Sequence, residues 1–243
     1  MNKVKNDKGF TLVEVLFAIA VGMLLLGAIY TVMVSGEKSS VTMERKVIAQ
    51  QDARAALQIM ALEIGMASYN SNFTASIWRN PGDCTSAAAN QTYKGIPLAA
   101  TNSITVEMDI NENGSVGPPD GNEIIGYVYD TANQRITRET SCGGAQPFLG
   151  DDPASGRPRT VRVINDINGN GVYDDGTDIP IFRYYDGAGN LIPFASLPAN
   201  IPNIRRIDIT LAVETEEIDS NTGQRRRMIY STSVVPRNHA MPQ

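Results

Sequence analysis

The sequence predicts an α+β chain, in which one long N-terminal helix, membrane-spanning in its first half and amphipathic in its second, packs on an antiparallel β-rich head. Three observations predict it. Residues 10–34 form an almost unbroken apolar run. Residues 37–68 keep a helical period but mix apolar with charged positions. Beyond residue 75 that period gives way to short β-rich runs divided by Gly, Pro, Asn and Asp.

The apolar run holds about 25 residues, which as a helix measures roughly 37 Å and spans a bilayer. Lys3, Lys5 and Lys8 precede it and few charges follow closely. The N-terminus should therefore stay cytoplasmic and the head should be exported. A cleaved secretory leader has a shorter apolar core and a small-residue cleavage site, whereas here Ser35-Gly36 runs straight into more helix. One residue does not belong in a plain anchor. A carboxylate such as Glu14 costs about 2.5 kcal/mol or more at bilayer depth, and the apolar run supplies no cation for it. Cleavage after Gly9 would create one, the α-amine of Phe10, charged near neutral pH. Glu14 of one helix could then neutralise Phe10 of another.

In residues 37–68, Val41, Ile48, Ala55, Ile59, Leu62 and Met66 recur at helical steps, with Glu44, Lys46, Gln51 and Arg54 between them. These six predict the face that packs on the head, and Asn70, Ser71 and Asn72 predict the stop.

In the head, strands are expected at 104–108, 124–129, 134–138, 160–164 and 181–185. The clearest element is a hairpin. Ile207, Ile209, Leu211 and Val213 alternate with polar or small residues, residues 219–223 turn the chain, and 228–235 return. Residues 104–130 and 161–186 resemble each other: a strand, Asp-Ile-Asn-x-Asn-Gly, an acid, and a strand ending in Tyr-Asp. Each also continues into a turn and another apolar segment, at Ile136 and at Leu191-Ile192, so the likeness predicts a repeated strand–loop–strand–turn–strand unit.

The two loops of that repeat are candidate metal sites. Asp109, Asn111 and Asn113, like Asp166, Asn168 and Asn170, put oxygen-bearing side chains at alternate positions, with Gly next. Alternate positions let three side chains converge, and Gly permits the sharp turn that follows. Ser115 or Val172 would add a carbonyl. Asp120 or Glu123 would close the first loop, and Asp174, Asp175 or Asp178 the second. Hard oxygen donors with few charges predict weak Ca2+ binding, although Asp, Asn and Gly are also simply good turn formers. Cys84 and Cys142 fit no zinc spacing and predict one disulfide in an exported domain.

Catalytic constellations are missing: the sequence has no nucleophile elbow, phosphate loop or dinucleotide fingerprint. The single histidine, His239, lies in the C-terminal tail, a poor place for a preorganised base. An enzyme is not expected. Neither is a nucleic-acid partner, because the net charge is -5 and Arg225 to Arg227 should face Glu214, Glu216 and Glu217 across a hairpin.

The stretch Lys8-Gly9-Phe10-Thr11-Leu12-Val13-Glu14 resembles the leader junction of type IV pilins and type II secretion pseudopilins. That resemblance implies cutting after Gly9 by a prepilin peptidase, N-methylation of Phe10, and docking into a filament guided by Glu14. It implies an inner-membrane precursor with a periplasmic head, other pilins as partners through the N-terminal helices, and a ladle-shaped fold. Its divisions would be a leader 1–9, an assembly helix 10–36, an amphipathic continuation 37–72 and a head 73–243. "FRYYDGAGNLIPF", "IRRIDITLAVE" and the late "PRN" are similar to PilW-like minor pilins and J-type pseudopilins. The implied roles are a minor pilin of an initiation or tip complex, a secretion pseudopilin, or a pilus-borne adhesin or DNA-uptake subunit. K-type tip pseudopilins lack the acid that this chain keeps, so docking beneath or beside other subunits is implied.

Overall fold

The computed structural model describes residues 9–80, 83–84, 91–150, 159–173, 176–219 and 222–241. One helix, α1 (Leu12–Gly65), runs for 54 residues, about 81 Å at 1.5 Å per residue. Its apolar first half is long enough to cross a membrane, and none of it is buried within the chain.

The second half packs through a face other than the one expected. Ala49, Ala53, Ala56, Leu57, Met60 and Ile64 are buried, whereas Ala55, Ile59, Leu62 and Met66 point outward. Three alanines explain the choice. Small side chains let a helix axis approach a sheet closely, and the larger Leu57, Met60 and Ile64 join the main core with them. The helix also ends earlier than Asn70. Met66 caps it, and Ser68 turns into a left-handed conformation (φ 66°) while its amide donates to the Glu107 carbonyl at 2.8 Å. Tertiary hydrogen bonding, not the polar Asn-Ser-Asn cluster, stops the helix.

The head contains two antiparallel sheets. The first is a meander of β1 (Leu98–Ala99), β2 (Ser103–Glu107), β3 (Ile124–Asp130), β4 (Arg135–Thr140) and β5 (Gln146–Leu149). The second is built around β8 (Arg206–Thr215), whose Ile207, Ile209, Leu211 and Val213 are fully buried. β9 (Arg227–Val234) pairs along one edge of β8, from Ile207↔Val234 to Glu214↔Arg227. β6 (Val161–Val163) and β7 (Phe182–Tyr185) share the other edge, at Val161↔Thr215 and Phe182↔Ile209. α1 lies across β8 and β9 and reaches β5 and β6. At its C-terminal end Glu63 takes two hydrogen bonds from Arg138 (3.0 and 2.7 Å) and one from the Tyr127 hydroxyl, which ties the helix to the first sheet.

The expected internal repeat holds only in its second part, where each chain segment turns back after its Tyr-Asp, at Tyr129↔Ile136 and at Tyr185↔Leu191. β2 pairs directly with β3, but β6 and β7 do not pair; they lie end to end along β8. Similar local sequence, a strand and a turn-forming loop, is placed differently because the long β8 offers one edge to both strands. Asn165, fully buried, fills the break between them. Its Nδ2 donates to the Ile179 and Thr210 carbonyls, both at 3.0 Å, and its Oδ1 accepts from the Ala212 amide at 2.9 Å. Asn165→Ala would strand three buried backbone groups, so a loss of about 3 kcal/mol is expected, read as a lowered denaturation midpoint of the full chain in detergent.

The C-terminal tail is not loose. His239 is fully buried, its Nε2 donating to the Ile201 carbonyl (2.8 Å) and its Nδ1 lying 2.9 Å from the Ser68 hydroxyl. It latches the chain end to the turn after α1. Burial pushes its pKa below the ordinary value, and nearby Arg205 and Lys94 push the same way, against the Ile201 and Lys94 carbonyls that favour a charged ring. The unfolded chain therefore takes up the proton first. The stability this latch contributes should be complete above the unfolded pKa of about 6.5 and decline as pH falls below it. Denaturation midpoints should drop from about pH 7 to about pH 5.5 in the native chain and drop less in His239→Gln.

Candidate functional site

The N-terminal end of the stem is fully exposed. Gly9 and Phe10 precede the helix outside any regular element, and Phe10 is 88% accessible. Leader residues 1–8, with Lys3, Lys5 and Lys8, lie outside the described residues. Thr11 caps α1, and here Glu14 has a partner that sequence reading missed. Its carboxylate accepts the Thr11 amide and the Thr11 hydroxyl, each at 2.9 Å, while the Glu14 amide donates to Thr11 Oγ1 at 3.3 Å. This is a capping box, and the Thr-x-x-Glu spacing was its signal in the sequence. Within one chain the acid thus satisfies the helix start through neutral donors. Among the described residues no cation pairs with it.

The first acidic loop connects β2 to β3. Asp109 and Glu123 stand at its base, both fully buried. Asp109 accepts the amides of Asn113 (3.1 Å) and Gly114 (2.9 Å). Asn111 Oδ1 accepts the Asn113 amide at 3.0 Å, and Asn113 Oδ1 takes the Ser115 amide at 2.8 Å and hydroxyl at 2.9 Å. Asn113 Nδ2 donates to Asp120 at 2.7 Å. Gly114 at φ +78° makes the turn that a side chain would strain.

The second loop repeats this local winding. Asp166 accepts the amides of Gly169 (2.8 Å) and Gly171 (2.9 Å). Asn168 Oδ1 accepts from Asn170 at 3.0 Å, and Asn170 Oδ1 from Val172 at 2.7 Å. Asp178 accepts the Ile167 amide at 2.8 Å and is buried. Asp174 and Asp175 lie outside the described residues. Among the described residues no three His, Cys, Asp or Glu side chains form a metal-holding group by themselves. Asparagine oxygens would have to complete any site.

Cys84 and Cys142 are joined by a disulfide, with Cα atoms 6.1 Å apart. The arginines of the β8–β9 hairpin have carboxylate partners: Arg227 reaches Glu214 at 3.3 Å and Arg226 reaches Asp219 at 2.6 Å. Glu217 pairs instead with Arg45 of the helix.

Comparison with known families bears on the stem. Residues 4–30 match the family described as the prokaryotic N-terminal methylation motif. The start of the stem carries the prepilin-type N-terminal motif. A methylation motif beside an unburied apolar helix is consistent with membrane anchoring, and such a motif is associated in general terms with prepilin peptidase processing and with other pilins. Searches of curated proteins and of solved structures return no match.

Proposed function

We propose that the chain is a minor pilin, a non-catalytic subunit of the initiation or tip complex of a type IV pilus. It enters the inner membrane with its N-terminus cytoplasmic and its head periplasmic. Prepilin peptidase cuts after Gly9, Phe10 is methylated, and the mature chain joins a filament through its helix. One observation carries this reading: the apolar first half of α1 finds no burial in its own chain. An apolar surface of that length requires either lipid or other helices, and a filament core offers the second once the first is left. Ile59 and Leu62 are also exposed on the half of the helix that lies on the head. The large head, with its own two-sheet core, fits a subunit present in few copies. The resemblance to PilW-like minor pilins and J-type pseudopilins chooses the family and not the machine; the length of 243 residues, larger than a typical major pilin, supports the minor-pilin reading.

The test is fractionation. A tagged copy should appear in sheared pili at low abundance, and deleting it should reduce piliation while leaving protein secretion intact. Lost secretion with normal pili would instead support the J-type pseudopilin reading.

A further inference from the structure

The β2–β3 loop contains an electrostatic conflict that the pilin reading does not use. Asp109 and Glu123 are both fully buried at its base, since the Glu123 carbonyl pairs with the Met108 amide (2.9 Å) and brings the two acids to the same end. Glu123 points into the loop: its Oε2 accepts the Gly117 amide at 3.2 Å, and the Asn111 amide also favours its charge. Its Oε1 is buried with no hydrogen-bond partner. The charged groups that weigh most on it, Asp120 and Asp109, are both negative. Neither Asp109 nor Glu123 joins an ion pair among the described residues. A buried carboxylate oxygen without a donor, beside two further acids, is costly unless a cation or a proton is present.

We propose that this loop binds one calcium ion at its base, with Asp109 and Glu123 as the buried carboxylate ligands, the Asn111 and Asn113 side-chain oxygens adding to an all-oxygen shell, and Asp120, held away by Asn113 in the metal-free chain, joining as the ion binds. The donor set contains no nitrogen or sulfur, which selects a hard cation over zinc or copper. Irregular spacing, with the closing acid fourteen residues after Asp109, suits the flexible seven- or eight-fold shell of calcium better than the strict octahedron of magnesium. Asn113 must release Asp120 to complete the shell, so affinity should fall in the weak class of extracellular modules, roughly 0.1–1 mM. The second loop contains residues outside the described set, Asp174 and Asp175.

Local hydrogen exchange of the full chain in detergent isolates this loop from the second. Calcium at about ten times Kd should slow exchange across residues 109–123 about tenfold relative to chelator. Magnesium at the same concentration should do far less. Glu123→Gln should abolish the slowing while its calcium-free loop exchanges no faster than the native one, because the variant removes a buried charge. Should Glu123→Gln fail to fold, Asp120→Asn, at a partly exposed position, should fold and weaken the effect. The proposal is overturned if calcium leaves residues 109–123 unchanged, if magnesium acts equally, or if the folded variants respond as the native chain does.

Discussion

Glu14→Ala should insert and lose its leader normally, yet be absent from sheared filaments, as read by immunoblot of membrane and filament fractions. In the mature chain the α-amine of Phe10 would enter an apolar helix bundle. Leaving one such charge unpaired costs at least about 2.5 kcal/mol, roughly a 70-fold penalty on docking. The capping box complicates the alanine result, because Ala also removes the bonds that Glu14 takes from Thr11. Glu14→Gln separates the two roles. Glutamine can keep both helix-start bonds but cannot neutralise an amine. If Glu14→Gln assembled at native levels, the cap rather than the charge would be the essential feature, and pairing with Phe10 would be discarded. Gly9→Val provides the opposite control: it should block leader removal while leaving the cap intact.

The stem was legible because its signals are local. An apolar run, a preceding basic cluster and one misplaced acid need no tertiary information to interpret. Strand positions were readable for the same reason, and β8 and β9 follow the alternation of residues 207–213 and their return at 228–235. What escaped depends on partners distant in sequence. The buried face of α1 turned on alanines, which hydropathy ranks below Ile59 and Leu62 but which alone permit close approach to β8. β1 is two residues long and β5 includes a proline, so neither shows a period. The first part of the apparent repeat misled because pairing is decided by β8, over forty residues beyond the end of β6. His239 was read as a tail residue, yet its partners are Ser68, Lys94 and Ile201, none of them near it in the chain. Within the first loop, the Asp-Asn-Asn spacing was plain, but the isolation of Glu123 Oε1 is a property of the folded surroundings alone.

Replacing both cysteines, Cys84→Ala with Cys142→Ala, should lower stability by about 4 kcal/mol, from the entropy returned to an unfolded chain freed of a 58-residue closure. For a chain of this size that corresponds to about 8–16 °C in the melting temperature, measured on the full chain in detergent. The loss should begin locally. Ile77, Trp78, Cys84, Val116 and Ile124 form a small apolar cluster separate from the main core, too small to hold the segment after α1 by burial alone. The cross-link fastens that segment to the turn beyond β4. It also keeps the Cys84 carbonyl against Gly117, where an added Cβ would come within 2.7 Å of it. Gly117 in turn donates to Glu123. Exchange across residues 109–123 should therefore quicken in the cysteine-free chain before β8 and β9 are affected. A melting temperature within about 2 °C of the native value, with the loop unchanged, would mean that packing rather than the cross-link holds this corner of the head.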